Sequence, residues 1–307
     1  MPTYDDVRRA AELVRPRVRR TPVLEVEVDG APVTLKLELL QHTGSFKVRG
    51  AFTSVLSAPR RPTGLVAASG GNHGMAVAHV GQVLGLPTRV FVPASAPAVK
   101  VRAIDRLGAE VHQVGTTYAE ALEASRAAAG EEGVLALHAY DAPGTVAGQG
   151  TVALEIAEQV ADVDTVLVAV GGGGLVAGVT LGLSGARPGA RVVAVEPATC
   201  PTLHTSLGHG APTRVEVGGV AADALGASTA GDIAFEVARS HAVESLLVAD
   251  EDIVTARRWL WEQTRVAAEP AGAAALVPLL TGALRPRPGE RVCVIVCGGN
   301  ADPSDLA

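Results

Sequence analysis

Short apolar runs alternate with alanine-rich stretches along most of this 307-residue chain. The runs lie at 64–68, 88–92, 110–114, 165–170, 191–195 and 291–296, and most are continuously apolar rather than alternating with polar residues. A strand buried on both faces reads this way, as in a parallel sheet covered by helices. Helix patterns fall between them at 74–84, 98–106, 118–129 and 152–160. That alternation implies βαβ units, so the chain is expected to be α/β with mainly parallel sheets covered by helices. We find no repeat and no long disordered linker. The one irregular stretch, 196–227, is rich in Gly, Pro, Thr and His and follows a strand end, where ligands collect in open α/β sheets.

One run tests this reading. Residues 165–186 carry no charge, which is about the length of a bilayer span. Four consecutive glycines, Gly171 to Gly174, stand in its middle and make poor spanning helix. Strand, tight loop and helix is the expected reading, and no membrane partner is expected. Nucleic acid is not expected either: 26 basic and 32 acidic residues are mixed along the chain, and aromatics are only 3%, so neither a basic stripe nor a stacking surface is supplied. The polar, acidic start, Met1 to Asp6, is not a secretory signal. Cys200, Cys293 and Cys297 are odd in number and form no disulfide framework, which makes the cytoplasm the expected compartment. Their spacing is not that of a zinc site.

Four motifs carry chemistry. In Thr43-Gly44-Ser45-Phe46-Lys47-Val48-Arg49-Gly50-Ala51, Ser45 is expected to cap a helix whose first turn holds Lys47. The helix dipole there disfavours a cation and suits an amine for Schiff-base chemistry. An exposed helix-start lysine is the plainer alternative, but only Lys36, Lys47 and Lys100 occur in the chain. Ser69-Gly70-Gly71-Asn72-His73-Gly74 reads as a strand-to-helix turn, either an anion site at a helix start or a turn capped by its own Ser and Asn. Gly171, Gly172, Gly173 and Gly174, followed by Leu175, can cradle a phosphate on backbone amides. This loop lacks the Lys-Ser/Thr of a nucleotide P-loop and the spacing of a dinucleotide fingerprint. Cys297-Gly298-Gly299-Asn300 follows the last strand, where a buried thiol is packing or a ligand contact.

In this order the motifs resemble the pyridoxal-phosphate enzymes of fold type II, and most specifically the serine/threonine dehydratases and their relative serine racemase. Ala147-Gly148-Gln149-Gly150-Thr151, Val195-Glu196-Pro197 and Glu269-Pro270-Ala271-Gly272-Ala273 are further similar stretches. The likeness runs from Thr21-Pro22 to Asn300. It implies a two-domain fold of the tryptophan synthase β kind, with residues 62–141 inserted as a smaller domain into a larger one formed by 1–61 and 142–307. It also implies pyridoxal 5′-phosphate joined to the catalytic Lys47, with Phe46 beside the ring and Asn72 on its 3′-oxygen. Gly171 to Gly174 and Leu175 would hold the phosphate, Cys297 would face the ring nitrogen, and Ser69, Asn72 and His73 would bind the substrate carboxylate.

The reaction implied is dehydration and deamination of L-serine, L-threonine or a related β-hydroxy amino acid to a 2-oxo acid and ammonium. A neutral group at the ring nitrogen makes a weaker electron sink than a carboxylate would, which favours β-elimination. The alternatives are serine racemase, β-replacement on the same fold, or a silent cofactor-binding protein. β-Replacement relatives usually carry Asp after the lysine, where Val48 stands here, and the intact Lys47 speaks against a silent protein. The racemase branch has a second serine where this chain has Gly70. Some relatives bind a divalent metal through a Glu, a carbonyl and an Asp. Glu196 and Cys200 match the first two, but Thr202 replaces the Asp and removes a charged oxygen ligand, so no metal is expected. Homodimers are common in such a family, and a homodimer is expected here.

Overall fold

A computed structural model describes residues 1–306. Its strands, in chain order, are β1 (Val23–Val28), β2 (Ala31–Lys36), β3 (Gly64–Ala68), β4 (Thr88–Val92), β5 (Glu110–Gln113), β6 (Val134–Ala136), β7 (Thr165–Ala169), β8 (Arg191–Pro197), β9 (Glu244–Val248) and β10 (Val292–Ile295). They form two sheets, a six-stranded one ordered β1-β2-β10-β7-β8-β9 and a four-stranded one ordered β5-β4-β3-β6. Among the named strands, the one antiparallel pairing is β1 with β2. Asp29 and Gly30 join that pair with φ of 47° and 77°, the double positive φ that a tight hairpin turn needs. All the other strands pair in parallel. The continuously apolar runs explain this arrangement, since β3, β7 and β10 are buried at every position.

The uncharged run resolves as β7, a glycine loop and a helix Gly174–Ala186. No helix among the described residues is long and apolar enough to cross a membrane. The helix expected over 152–160 starts much earlier and spans Pro143–Gln159. Its glycines masked it in the sequence, and they serve close packing. A Cβ on Gly150 would lie 2.6 Å from the Gly178 carbonyl oxygen, and one on Gly178 2.5 Å from the Gly150 nitrogen. The helix behind the glycine loop is thereby seated directly against Pro143–Gln159.

Two buried polar clusters fix the elements that carry the site. Arg49, in the helix Lys47–Leu56, is fully buried and donates twice to Glu38, at 2.8 Å each, and once to Glu155 at 2.8 Å. Lys36 donates to the other oxygen of Glu155 at 2.6 Å. Burial opposes the charge on Arg49, yet the two carboxylates outweigh it and raise its pKa. The second cluster lies inside the stretch 196–227, which contains the helices Thr202–His209 and Ala222–Leu225. Glu196 accepts from the backbone N–H groups of Leu203 at 2.8 Å and His204 at 2.7 Å, and from the hydroxyls of Thr202 and Ser245. It thus caps the helix that follows it.

Candidate active site

The segment before Lys47 departs from the sequence expectation. Ser45 does not cap the helix; Phe46 occupies the cap position, without a capping side chain. Ser45 is extended instead and forms an antiparallel bridge with Gly298, and its buried Oγ has no hydrogen-bond partner. That bridge committed the Ser45 backbone to the end of β10. Phe46 N donates to the carbonyl of Cys297 at 3.3 Å, so Lys47 starts its helix beside Cys297. Lys47 Nζ donates to Ala139 O at 2.9 Å and lies 5.1 Å from the centre of the Phe46 ring. Burial lowers its pKa to about 8, while the Glu269 carboxylate pulls the other way. Desolvation makes this amine easier to deprotonate.

The glycine loop faces Lys47 from the end of β7. Gly173 has a φ of 88°, a left-handed conformation that costs glycine little. A Cβ on Gly172 would overlap the Tyr140 ring, and one on Gly171 would lie 2.8 Å from the Leu225 backbone. The helix opens at Gly174, and the N–H groups of a first turn have no intrahelical partners. The result is a close-walled anion cradle that only glycine fits. A cavity lies between this loop and Lys47. Phe46, Asn72, Tyr140, Leu175, Glu269 and Cys297 also line it.

Cys297 is buried, and its Sγ donates to Ala271 O at 3.4 Å. Burial first, then the nearby Glu269 charge, pushes the thiol pKa far up and keeps the group neutral. Asn72 opens the helix Asn72–Leu84. Gly71 N donates to Ser69 Oγ at 3.3 Å, so the turn is partly closed by its own serine. The His73 ring is buried and its Nε2 contacts Leu137 O at 3.0 Å. Burial, then the Lys47 charge, lowers its pKa to about 3, so this imidazole stays neutral. Ser69 and His73 do not line the cavity, whereas Asn72 does. A carboxylate contact at this helix start would therefore come from backbone N–H groups and Asn72 more readily than from the His73 ring.

Sequence reasoning gave Tyr140 and Glu269 no role, yet both line the cavity. Glu269 is buried, donors from Asn72 and Asn300 reach it, and burial followed by the charge of Asp223 raises its pKa to about 7. Its signals in the sequence are the family-like stretch Glu269 to Ala273 and Pro270, which marks the start of a helix.

A half-buried first-turn lysine opposite a glycine cradle, across the ends of parallel strands, defines a fold type II pyridoxal-phosphate enzyme. The lining suits the chemistry of that cofactor, with an amine on one side and a glycine loop at a helix start on the other. Residues 14–298 match the family of pyridoxal-phosphate dependent enzymes, and the chain belongs to it. It is 37% identical to an L-threonine ammonia-lyase of Thermotoga maritima, over 98% of this chain and 76% of that one. An L-threonine ammonia-lyase of Geobacter sulfurreducens is 39% identical, over 99% and 77%. Maize serine racemase superposes with a TM-score of 0.92 at 31% identity, over 98% of this chain and 94% of that one.

Proposed function

We propose that this protein is a pyridoxal-phosphate-dependent dehydratase that converts L-serine, L-threonine or a closely related β-hydroxy amino acid to a 2-oxo acid and ammonium. The observation that carries the reading is Lys47, half-buried with a pKa near 8 opposite the glycine cradle. The likeness to two L-threonine ammonia-lyases over nearly the whole chain supports it. When bound, the cofactor supplies the electron sink that makes the Cα proton of an amino acid acidic. Lys47 Nζ holds the cofactor and, once released as a free amine, takes the Cα proton, a task suited to a base whose pKa is near working pH. The backbone of Gly171 to Gly174 and Leu175 holds the phosphate, Phe46 flanks the ring and Asn72 bonds its oxygen. Ser69, Asn72 and the start of the His73 helix orient the carboxylate. Cys297 meets the ring nitrogen as a neutral thiol. The Cα proton and β-hydroxyl leave as water, a Cα–Cβ double bond forms, and the released enamine hydrolyses to the 2-oxo acid and ammonium.

This reading takes residues 62–141 as a smaller unit that closes over the cleft, a cytoplasmic location, and a homodimer, which light scattering of the pure protein would test. Elimination is favoured over racemisation by one position. Lys47 serves one face of Cα, and Gly70 brings no group to the other. A Cβ on Gly70 would meet nothing nearer than Val92 at 3.5 Å, so space does not explain the missing side chain. L-Serine incubated with the enzyme should give pyruvate much faster than D-serine, by about 10²-fold or more if a positioned group is needed on the second face. Chiral chromatography beside a pyruvate assay reads both products. D-Serine formed as fast as pyruvate would promote the racemase reading.

A further inference from the structure

We propose that Glu269 is a positioning residue: it fixes the Asn72 amide across the floor of the cleft, so that the side chain facing the cofactor is held in one orientation. This rests on the reading above, in which the cleft holds pyridoxal phosphate.

Three groups form a closed ring. Asn72 Nδ2 donates to Glu269 Oε1 at 2.7 Å, the Asn300 backbone N–H donates to Glu269 Oε2 at 3.2 Å, and Asn300 Nδ2 donates to Asn72 Oδ1 at 2.8 Å. An Asn amide can ordinarily flip, because its two ends are nearly the same size. Here a flip would set Asn72 Oδ1 against a carboxylate oxygen and its Nδ2 against the Asn300 NH₂ group. Both contacts would be repulsive, so one orientation survives.

The backbone is shaped around this ring. A Cβ on Gly298 would overlap Glu269 Oε1, and one on Gly44 would overlap Asn300 Oδ1. Asn300 Nδ2 also donates to Thr43 O at 2.7 Å, within the turn that leads to Lys47. Asn72 follows β3 of the four-stranded sheet, whereas Asn300 follows β10 of the six-stranded one. The ring therefore joins the two sheets at the point where the cofactor would lie.

Both contacts to Glu269 are accepted hydrogen bonds, which an ionised carboxylate makes with either oxygen. Protonation removes the charge that strengthens both bonds. The ionisable groups that act on Glu269 or feel its charge are Lys47, Cys297, Asp223 and Lys100. Burial and Asp223 favour the protonated form, Lys100 opposes it, and the carboxyl titrates at about 7. The ring should hold above that pH and loosen below it.

The test compares holoenzymes of the wild type, E269Q and E269D, with matched far-UV spectra as the folding control. The absorption of the bound cofactor and kcat/KM for L-threonine are recorded from about pH 6 to 9, a span that brackets the ordinary working range of side-chain acids and bases. The wild type should lose kcat/KM on acidification through about pH 7 and shift its cofactor band over the same range. E269Q should lack that limb, with a displaced band and a kcat lower by about 10²-fold, the usual scale for a misplaced group. E269D keeps a titrating carboxylate but is one methylene short, so it should share the displaced band and lowered kcat of E269Q. A folded E269Q with the wild-type band and acidic limb overturns the proposal, as does an E269D that matches the wild type. A wild type with no cofactor band overturns the functional reading, and this proposal falls with it.

Discussion

Desolvation lets the Lys47 amine spend part of its time neutral near working pH, as a Schiff-base lysine must. Cys297 presents the complementary case, a thiol that burial keeps protonated. The account predicts that Cys297→Ser retains activity within about tenfold of the wild type, because a hydroxyl fills the same neutral role. Cys297→Asp should protonate the ring nitrogen and lose elimination by about 10²-fold or more, the scale of a mistuned acid–base group. Steady-state rates on L-serine measure both, and an active Asp variant beside a dead Ser variant would refute the electron-sink argument. Lys47 and Cys297 were legible in the sequence because each stands inside a local motif. Glu269 was not, because its meaning comes from Asn72 and Asn300, each brought to it by a different sheet. The cap assigned to Ser45 failed for a similar reason, since a long-range bridge to Gly298 claimed its backbone.

At the scale of elements, the helix that carries Lys47 is held by an ion-pair cluster largely shielded from solvent. Arg49, two residues past Lys47, is held by Glu38 and Glu155. Removing one partner from a buried ion pair leaves an uncompensated charge and costs about 3–5 kcal/mol. Glu38→Gln should therefore lower unfolding stability by about that amount in urea titrations. A change below about 1 kcal/mol, the scale of a surface ion pair, would show that the cluster relaxes or admits water. Strands β3, β4 and β7 were readable from their apolar runs to within a residue, and the helix Gly174–Ala186 from the loop before it. The first half of Pro143–Gln159 was hidden, because its glycines answer to the packing of another helix and contradict helix propensity. The β1–β2 hairpin was missed as well, although Asp29-Gly30 is a recognisable turn pair.

Across the whole molecule, the parallel sheets bring separate loops to one cavity, so a site spread from residue 46 to residue 297 becomes a single chemical environment. Lys100, in the helix Ala98–Asp105, contacts Asp223 in the helix Ala222–Leu225. That helix also supplies Ala224 and Leu225 to the cavity wall, which ties the two sides together at the mouth. Alternating strands and helices made the α/β architecture legible from the sequence, whereas contacts across the cleft required coordinates. The central claim is that this cavity eliminates water and ammonia from a β-hydroxy amino acid through Lys47. It is tested most directly by measuring 2-oxo acid and ammonium together, with wild-type holoenzyme and Lys47→Ala, on L-serine, L-threonine and threo-3-hydroxyaspartate. The account predicts equal amounts of the two products from at least one substrate and none above background from the variant. A wild type that binds the cofactor yet releases neither product from any of the three, or a Lys47→Ala variant as active as the wild type, would contradict it.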